Sequence, residues 1–257
     1  MADAGYSDKS IPTNLRLLML LEEIAAVGVP VTPTAANEAL GLPKPTVHRL
    51  FQRLEQEGFL QRDIDGRSYS AGQRLRKMSV NVLSSSRVRT VRLAVLNALT
   101  DDVGETCNIA TPDRDGMVYL DRVETKWPLR IQLPIGTTVP FHCTASGKMY
   151  LSSLAPRLLA KYLSAAILDQ HTAKSMTDPA VLQAEIELTR ERGYSTDDEE
   201  FMDGMVAIAV PIRDDLNRLM STLSVHAPTQ RVSVEDLKQN LERFKSAAAD
   251  LSELILR

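Results

Sequence analysis

The sequence predicts an α+β chain built as an N-terminal winged helix-turn-helix, a helical linker, and a larger C-terminal domain with a mainly antiparallel sheet. Three observations predict it. Apolar residues recur at helical spacing between Thr13 and Glu57, interrupted by Gly/Pro-rich turns. Directly after Gly58 the pattern becomes alternating around an Asp65-Gly66 turn. From Glu105 onward, β-rich runs interleave with helical patterns at hairpin-like spacing.

Each element follows in order. Pro12, Thr13 and Asn14 open a helix whose stripe is Leu17, Leu20, Leu21 and Ile24, stopped by Gly28 and Pro30. A short helix runs from about Thr34 to Leu40. After the turn Gly41-Leu42-Pro43-Lys44, a third helix starts at Pro45, where a missing N–H costs nothing. Its inner stripe is Val47, Leu50, Phe51 and Leu54, and Gly58 ends it. Phe59, Leu60 and Ile64 lead into the Asp65-Gly66 turn, and Tyr69 lies on the return strand. Residues 73–100 are largely helical, with Leu75, Met78, Val82 and Leu83 on one face, then Val88, Val91, Leu93, Val95, Leu96 and Leu99; Ser84-Ser85-Ser86 marks a break. Strands are expected at Thr106–Ala110, Met117–Val123, Leu129–Leu133, Val206–Ile212 and Leu219–His226. Helices are expected from about Ala145, at Ala155–Ser164, at Ala180–Arg192 after the Thr177-Asp178-Pro179 cap, and as one closing helix at Val234–Leu256. The expected divisions are a flexible N-terminus over 1–12, the winged helix-turn-helix unit over 13–73, the helical linker over 74–100 and the second domain over 101–257.

Composition sets the class. Of 257 residues, 44% are hydrophobic and 25% charged, enough for a sizeable core in an ordinary globular protein. The longest apolar run, from Leu15 to Leu21, contains Arg16 and then meets Glu22 and Glu23, so no membrane span is expected. The N-terminus lacks the pattern of a secretion signal. Cys107 and Cys143 show no metal or redox spacing, and a reducing cytoplasm is the expected location. The formal charge is -3, but between Leu40 and Ser79 eight basic residues face four acidic ones.

That basic stretch carries the functional reading. A helix-turn-helix lays its second helix in the major groove of double-stranded DNA, so the helix needs a packed inner face and an outer face of basic and short polar groups. Lys44, Thr46, His48, Arg49, Gln52 and Arg53 are left outward. Arg and Lys suit guanine edges or phosphates, Gln suits adenine, and a Thr methyl suits thymine. An amphipathic helix alone proves nothing. The short preceding helix, the tight turn and a following hairpin with Arg62 and Arg67, placed to track the phosphate backbone, distinguish this one.

Leu42-Pro43-Lys44-Pro45-Thr46-Val47-His48-Arg49-Leu50, Gly58-Phe59-Leu60 and Arg62-Asp63-Ile64-Asp65-Gly66 together resemble the N-terminal domain of the IclR family of bacterial regulators. The resemblance continues in order through Gly104-Glu105-Thr106, Val118-Tyr119-Leu120-Asp121-Arg122-Val123, Leu129-Arg130-Ile131, Pro140 to Lys148, Arg192-Gly193-Tyr194, Asp197 to Glu200, Gly204 and Ala209-Val210-Pro211-Ile212. It implies a GAF-like effector-binding domain, a homodimer or dimer of dimers on operator DNA, and a small-molecule effector such as an organic acid or aromatic catabolite. It implies DNA contacts from Thr34, Lys44, Pro45, Thr46, His48, Arg49, Gln52, Arg53, Arg62 and Arg67. It places effector contacts at Ile131, at the Thr144-Ala145-Ser146-Gly147 loop, and at Asp197, Met205, Ala207, Ser224 and His226.

Three positions depart from the family pattern. Pro45 stands where a capping Ser is usual. Ala207 lacks a polar atom, and His226 is larger than the usual Ser and able to carry charge near neutral pH. Enzyme readings fare worse. Ser146-Gly147-Lys148 lacks phosphate-loop spacing, since His142 stands at the first glycine position and Met149 where Ser or Thr is needed. Asp197-Asp198-Glu199-Glu200 reads as a solvated acidic loop in preference to a cation site. His142 and Cys143, adjacent in an extended segment, would point to opposite faces, and His171 joins no recognisable triad. No catalytic residue, metal or cofactor is expected. The alternatives that remain are a ligand-binding module without DNA binding and a small-molecule enzyme carrying an appended helix-turn-helix.

Overall fold

The computed structural model describes residues 11–256 except Gly28, Ile64, Ser84 and Ser85. Residues 1–10 of the flexible N-terminus expected over 1–12, the Gly28 stop, Ile64 and the first two serines of the break lie outside the described residues, as do the side chains of Leu83 and Val88. The chain divides into two compact units, residues 1–85 and 86–257, each described by itself.

The first unit contains α1 (Arg16–Val27), α2 (Pro33–Ala36), α3 (Lys44–Gln56), β1 (Leu60–Arg62), β2 (Tyr69–Ala71) and α4 (Gln73–Leu83). Leu20, Ile24, Val31, Ala36, Leu42, Val47, Phe51, Leu54, Leu60 and Tyr69 make its core. Leu50 is only half-buried, at the margin of the expected stripe. α2 is one turn long, not the helix to Leu40 that the sequence suggests. Asn37 ends it: its side-chain amide donates to the Leu42 carbonyl at 2.8 Å and accepts from the Leu42 N–H at 2.9 Å. An Asn that bonds backbone this way competes with helix, and here it clamps the turn before α3. Tyr69 meets the Phe51 ring edge-on at 5.0 Å, joining hairpin to helix.

The second unit contains α5 (Ser86–Val103), β3 (Thr106–Pro112), β4 (Met117–Val123), β5 (Thr138–Val139), α6 (Ala145–Ser153), α7 (Pro156–Ala165), α8 (Pro179–Arg192), β6 (Ser195–Asp198), β7 (Met205–Arg213), β8 (Leu219–Pro228), α9 (Val234–Gln239) and α10 (Leu241–Leu256). Its six strands form one antiparallel sheet in the order β5-β4-β3-β8-β7-β6. α6 lies across one face, Ala145 and Met149 packing on Ala207 and Ala209. α5 and α10 pack together against the sheet. Asp121 of β4 ties α5 down, accepting from Arg89 Nε at 3.0 Å and Arg92 Nε at 2.7 Å.

Three expectations need correction. Leu129–Leu133 is not a strand. Pro128 and Pro134 flank it, and side chains satisfy its carbonyls: Arg122 donates to Ile131 O, and Arg231 to Leu129 O at 3.2 Å. The closing helix is two helices, because Asn240 caps α9 while its carbonyl receives the first bonds of α10, from Arg243 and Phe244. β6 was not anticipated; its polar residues are poor strand formers, and pairing with β7 overrides that preference.

Candidate functional sites

On the first unit, α3 turns Pro45, His48, Arg49 and Gln52 to one side at helical spacing. These four, with Lys44 and Arg53, are exposed, and Thr46 is half-buried. Among the described residues, no ion pair or side-chain hydrogen bond engages Lys44, His48, Arg49 or Gln52. α3 begins at Lys44, one residue earlier than expected, with Pro43 as its cap; the missing side-chain capping bond therefore follows from Pro43, and Pro45 sits at the second helical position instead of the cap. Thr34 is exposed at the start of α2.

The hairpin turn is rigid. Asp65 accepts the backbone N–H groups of Arg67 and Ser68 at 2.8 Å each, and the Ser68 hydroxyl as well. The Ser68 hydrogen bonds hold the Asp65 carboxyl down at about 2. Arg67 projects exposed from this turn. Arg62 is placed differently: it grips Glu55 of α3 through two nitrogens, at 3.0 and 2.8 Å, and stacks over Tyr69. Arg53 pairs with Glu57 at 2.8 Å. Both remain exposed, but the grip on Glu55 makes Arg62 a brace between wing and helix.

On the second unit, strand pairing places Asp197, Ala207, His226 and Thr106 in one row, and Ser195, Ala209, Ser224, Asn108 and Arg122 in the next. Alternation turns both rows to the same face. That is the face α6 covers, and Met205 shares its parity. The Thr144 hydroxyl caps α6, accepting from Gly147 N at 3.0 Å. Gly147 is obligatory, since a Cβ there would sit 2.3 Å from the Phe141 carbonyl oxygen. Every expected effector residue except Ile131 is buried; Ile131 is half-buried and connected to the site through its carbonyl bond to Arg122.

Five buried polar atoms at this site have no partner among the described residues: Ser146 Oγ, Asp197 Oδ2, Asn108 Nδ2, His226 Nδ1 and Glu200 Oε2. His226 is buried. Burial, reinforced by Arg122, pushes its pKa down to about 3, so it does not carry charge near neutral pH as its residue type alone suggests. Its Nε2 lies 3.1 Å from Ser224 Oγ, leaving Nδ1 to donate or accept according to which partner holds the proton.

Asp197 accepts from the backbone of Glu200 at 2.8 Å and Phe201 at 3.4 Å. Burial, with Glu200 beside it, raises its pKa to about 7 from an ordinary 3.8. Between those values the folded protein holds a proton that the unfolded chain has lost, so this carboxyl makes stability fall as pH rises through about 7. Asp197→Asn is expected to flatten that decline. Urea unfolding across the interval checks it, and an unchanged profile would place the carboxyl in a wetter setting.

Residue-type reasoning missed four members of this site. Arg122, nearly buried, donates to Asn108 Oδ1 at 2.8 Å and supplies its cation. Asn108 and the buried pair of Lys148 and Glu200, 2.5 Å apart, are the others. The available signal was a charged or amide residue inside an otherwise apolar run, at Arg122, Asn108 and Lys148. The acidic loop also divides: Glu200 is buried, whereas Asp198 and Glu199 reach Lys174 near the surface. Residues 141–144 are bent, not extended, so His142 and Cys143 do not diverge as predicted. A nucleophilic Cys143 remains disfavoured for another reason: it is wholly buried, and burial drives its thiol up to about 12.

The chain matches family models twice, as the IclR helix-turn-helix domain over residues 15–63 and as the bacterial transcriptional regulator IclR C-terminal domain over residues 80–253. It is 36% identical over 245 residues to the probable transcriptional regulator SauR of Cupriavidus necator, covering 95% of this chain and 97% of that protein. It is 30% identical over 220 residues to the transcriptional repressor IclR of Escherichia coli, covering 85% and 80%. The crystal structure of the Thermotoga maritima IclR superposes with a TM-score of 0.62 at 26% identity, covering 94% of this chain and 97% of that one. Among the described residues, no helix is long and apolar enough to cross a membrane. With its helix-turn-helix unit and its sheet-bearing domain each matched by a model of the same family, the chain belongs to the IclR family of bacterial transcriptional regulators and is a DNA-binding regulator of metabolite-controlled type.

Proposed function

We propose that α3 reads operator DNA directly and that the α6-covered face of the sheet binds a small organic acid that modulates this reading. The observation that carries the effector assignment is the set of five unpartnered buried atoms. Such atoms cost stability unless a ligand or water engages them. Ser146 and Asn108 offer donors, Arg122 a cation, and the capped N-terminus of α6 favours negative charge, a combination suited to a carboxylate. Asp197, with its raised pKa, offers a proton to a second oxygen of the same ligand. No nucleophile–base pair with an activated nucleophile accompanies this set among the described residues, which supports binding over turnover.

A homodimer or dimer of dimers fits the reading, since paired recognition helices match paired half-sites. Exposed Leu18 of α1 and exposed Met78 and Val82 of α4 are apolar surface that a second copy would cover. A regulator acting on bacterial operator DNA works in the cytoplasm.

Arg49→Ala is expected to weaken operator binding by about 1–3 kcal/mol if Arg49 meets a base edge. Gel shifts against the operator and against random DNA test this; equal loss on both makes Arg49 a phosphate contact instead. Binding of the parent protein should fall steeply as salt rises. A calorimetric screen of organic acids tests the second half. Ser224→Ala and Asp197→Asn should weaken the acid that binds while leaving the gel shift intact. Unchanged ligand affinity in both variants would move the pocket elsewhere, and turnover of the bound acid would replace the regulator reading by the enzyme one.

A further inference from the structure

His142, Cys143 and His171 are brought together from two segments. Each offers a ligand atom, and the three atoms lie within 4.8 Å of one another. His142 and Cys143 come from the bend before α6, and His171 from the irregular connection between α7 and α8. The two imidazoles lie 6.0 Å apart, and His171 also rests against Phe201 at 5.4 Å. None of the three is needed by the effector site or by the DNA-reading helix.

We propose that these residues form a transition-metal site of two imidazoles and one thiolate, suited to zinc. The donor set is the soft nitrogen and sulfur combination that zinc selects over magnesium or calcium. A second observation supports it independently. His142 Nε2 lies 2.8 Å from the Asp169 carbonyl oxygen, an acceptor, so Nε2 carries the proton and Nδ1 keeps its lone pair. Metal-ligating histidines are oriented this way, by a carbonyl or carboxylate taking the N–H opposite the metal. Asp169 lies two residues before His171, so a single connection supplies both the orienting carbonyl and a ligand.

Tetrahedral zinc, with bonds of about 2.0–2.3 Å, draws such atoms to about 3.3–3.6 Å apart. The cluster must therefore contract by about an ångström. His171 is the exposed member and sits on an irregular segment, so it is the one that moves. Binding converts the Cys143 thiol to a bound thiolate, the proton passing to solvent, and water completes the fourth position.

The site has a consequence for its surroundings. The Thr172 hydroxyl donates to the carbonyls of Glu199 at 2.6 Å and Glu200 at 3.2 Å, and the Ser175 hydroxyl to Glu200 at 2.6 Å. Fixing His171 thus stiffens the segment that presents Asp197, while fixing Cys143 steadies Thr144, the cap of α6. Metal occupancy would set how firmly both halves of the effector site are held.

The test uses the full chain with Zn2+ and Co2+ alone. Zinc should bind at one equivalent per chain in competition with a chromophoric chelator. Cobalt should give a thiolate charge-transfer band that disappears in Cys143→Ser and survives in Cys107→Ser, whose sulfur is bonded elsewhere, toward Glu105. His171→Ala, at an exposed position, should keep the fold and lose affinity by at least about tenfold. Substoichiometric zinc, a band that follows Cys107, or full affinity in His171→Ala would each overturn the assignment.

Discussion

Asp121→Ala lowers the unfolding free energy by about 3–5 kcal/mol, to the same extent at mildly acid and at neutral pH. The size follows from what is left behind. Asp121 is wholly buried and is the acceptor for both Arg89 and Arg92. Arg89 is exposed enough to turn into water once released. Arg92 is 5% exposed and already has Nη2 without a partner, so alanine leaves a guanidinium enclosed and uncompensated. A guanidinium does not escape by losing its proton, because its pKa lies far above any working pH. The cost therefore has no acid or base rescue. Urea unfolding at two pH values measures it, and a loss below about 1 kcal/mol would show that Arg92 reaches water. Asp121→Asn, which keeps an acceptor oxygen, should lose less.

Lys148→Ala produces a loss of similar size at neutral pH, about 3–5 kcal/mol, but one that acid relieves. Lys148 has no exposed surface, and its Nζ lies 2.5 Å from Glu200 Oε1 and 3.8 Å from Glu185 Oε1. Burial already raises the Glu200 pKa, and Lys148 is the group opposing that rise. Without the lysine the carboxyl rises further and takes a proton instead of remaining a lone buried charge. In the variant the folded carboxyl thus binds its proton to higher pH than the unfolded one. Its penalty is absent below the unfolded pKa and grows as pH rises through the folded one. The difference from the parent should shrink steadily on acidification, in contrast to Asp121→Ala. Because Lys148 follows Gly147 and Glu200 closes the turn from Asp197, the same variant should also weaken the bound organic acid. A pH-independent loss would mean that solvent reaches Glu200 and takes over the role of Lys148.

The recognition helix was legible because every local signal agreed. The inner stripe of α3, the glycines at 41, 58 and 66 and the Asp65 turn specify structure within a few residues of themselves. The α6 loop was legible because Thr144 and Gly147 are demanded by a cap and by a close backbone approach. What escaped depends on distant partners. β6 exists because β7 pairs with it, and Leu129–Leu133 is irregular because Arg122 and Arg231 reach its carbonyls from other strands and loops. Arg122 reads as a surface charge until Asn108, 14 residues away in sequence, is seen beside it. His171 joined nothing in sequence because His142, the imidazole it meets, stands 29 residues earlier; only the bend at 141–144 and the fold of the α7–α8 connection close that gap.

The pairing of β3 with β8 has a consequence for the order in which the molecule is made. Thr106 is matched to His226, so the middle of the sheet joins segments 120 residues apart. Pairings of such separation are slow to find and cannot begin until the later strand has left the ribosome. The first unit draws its contacts from 85 residues of neighbouring chain and can fold while the rest is still being translated. Each newly synthesised molecule therefore completes its helix-turn-helix unit before its sheet-bearing one.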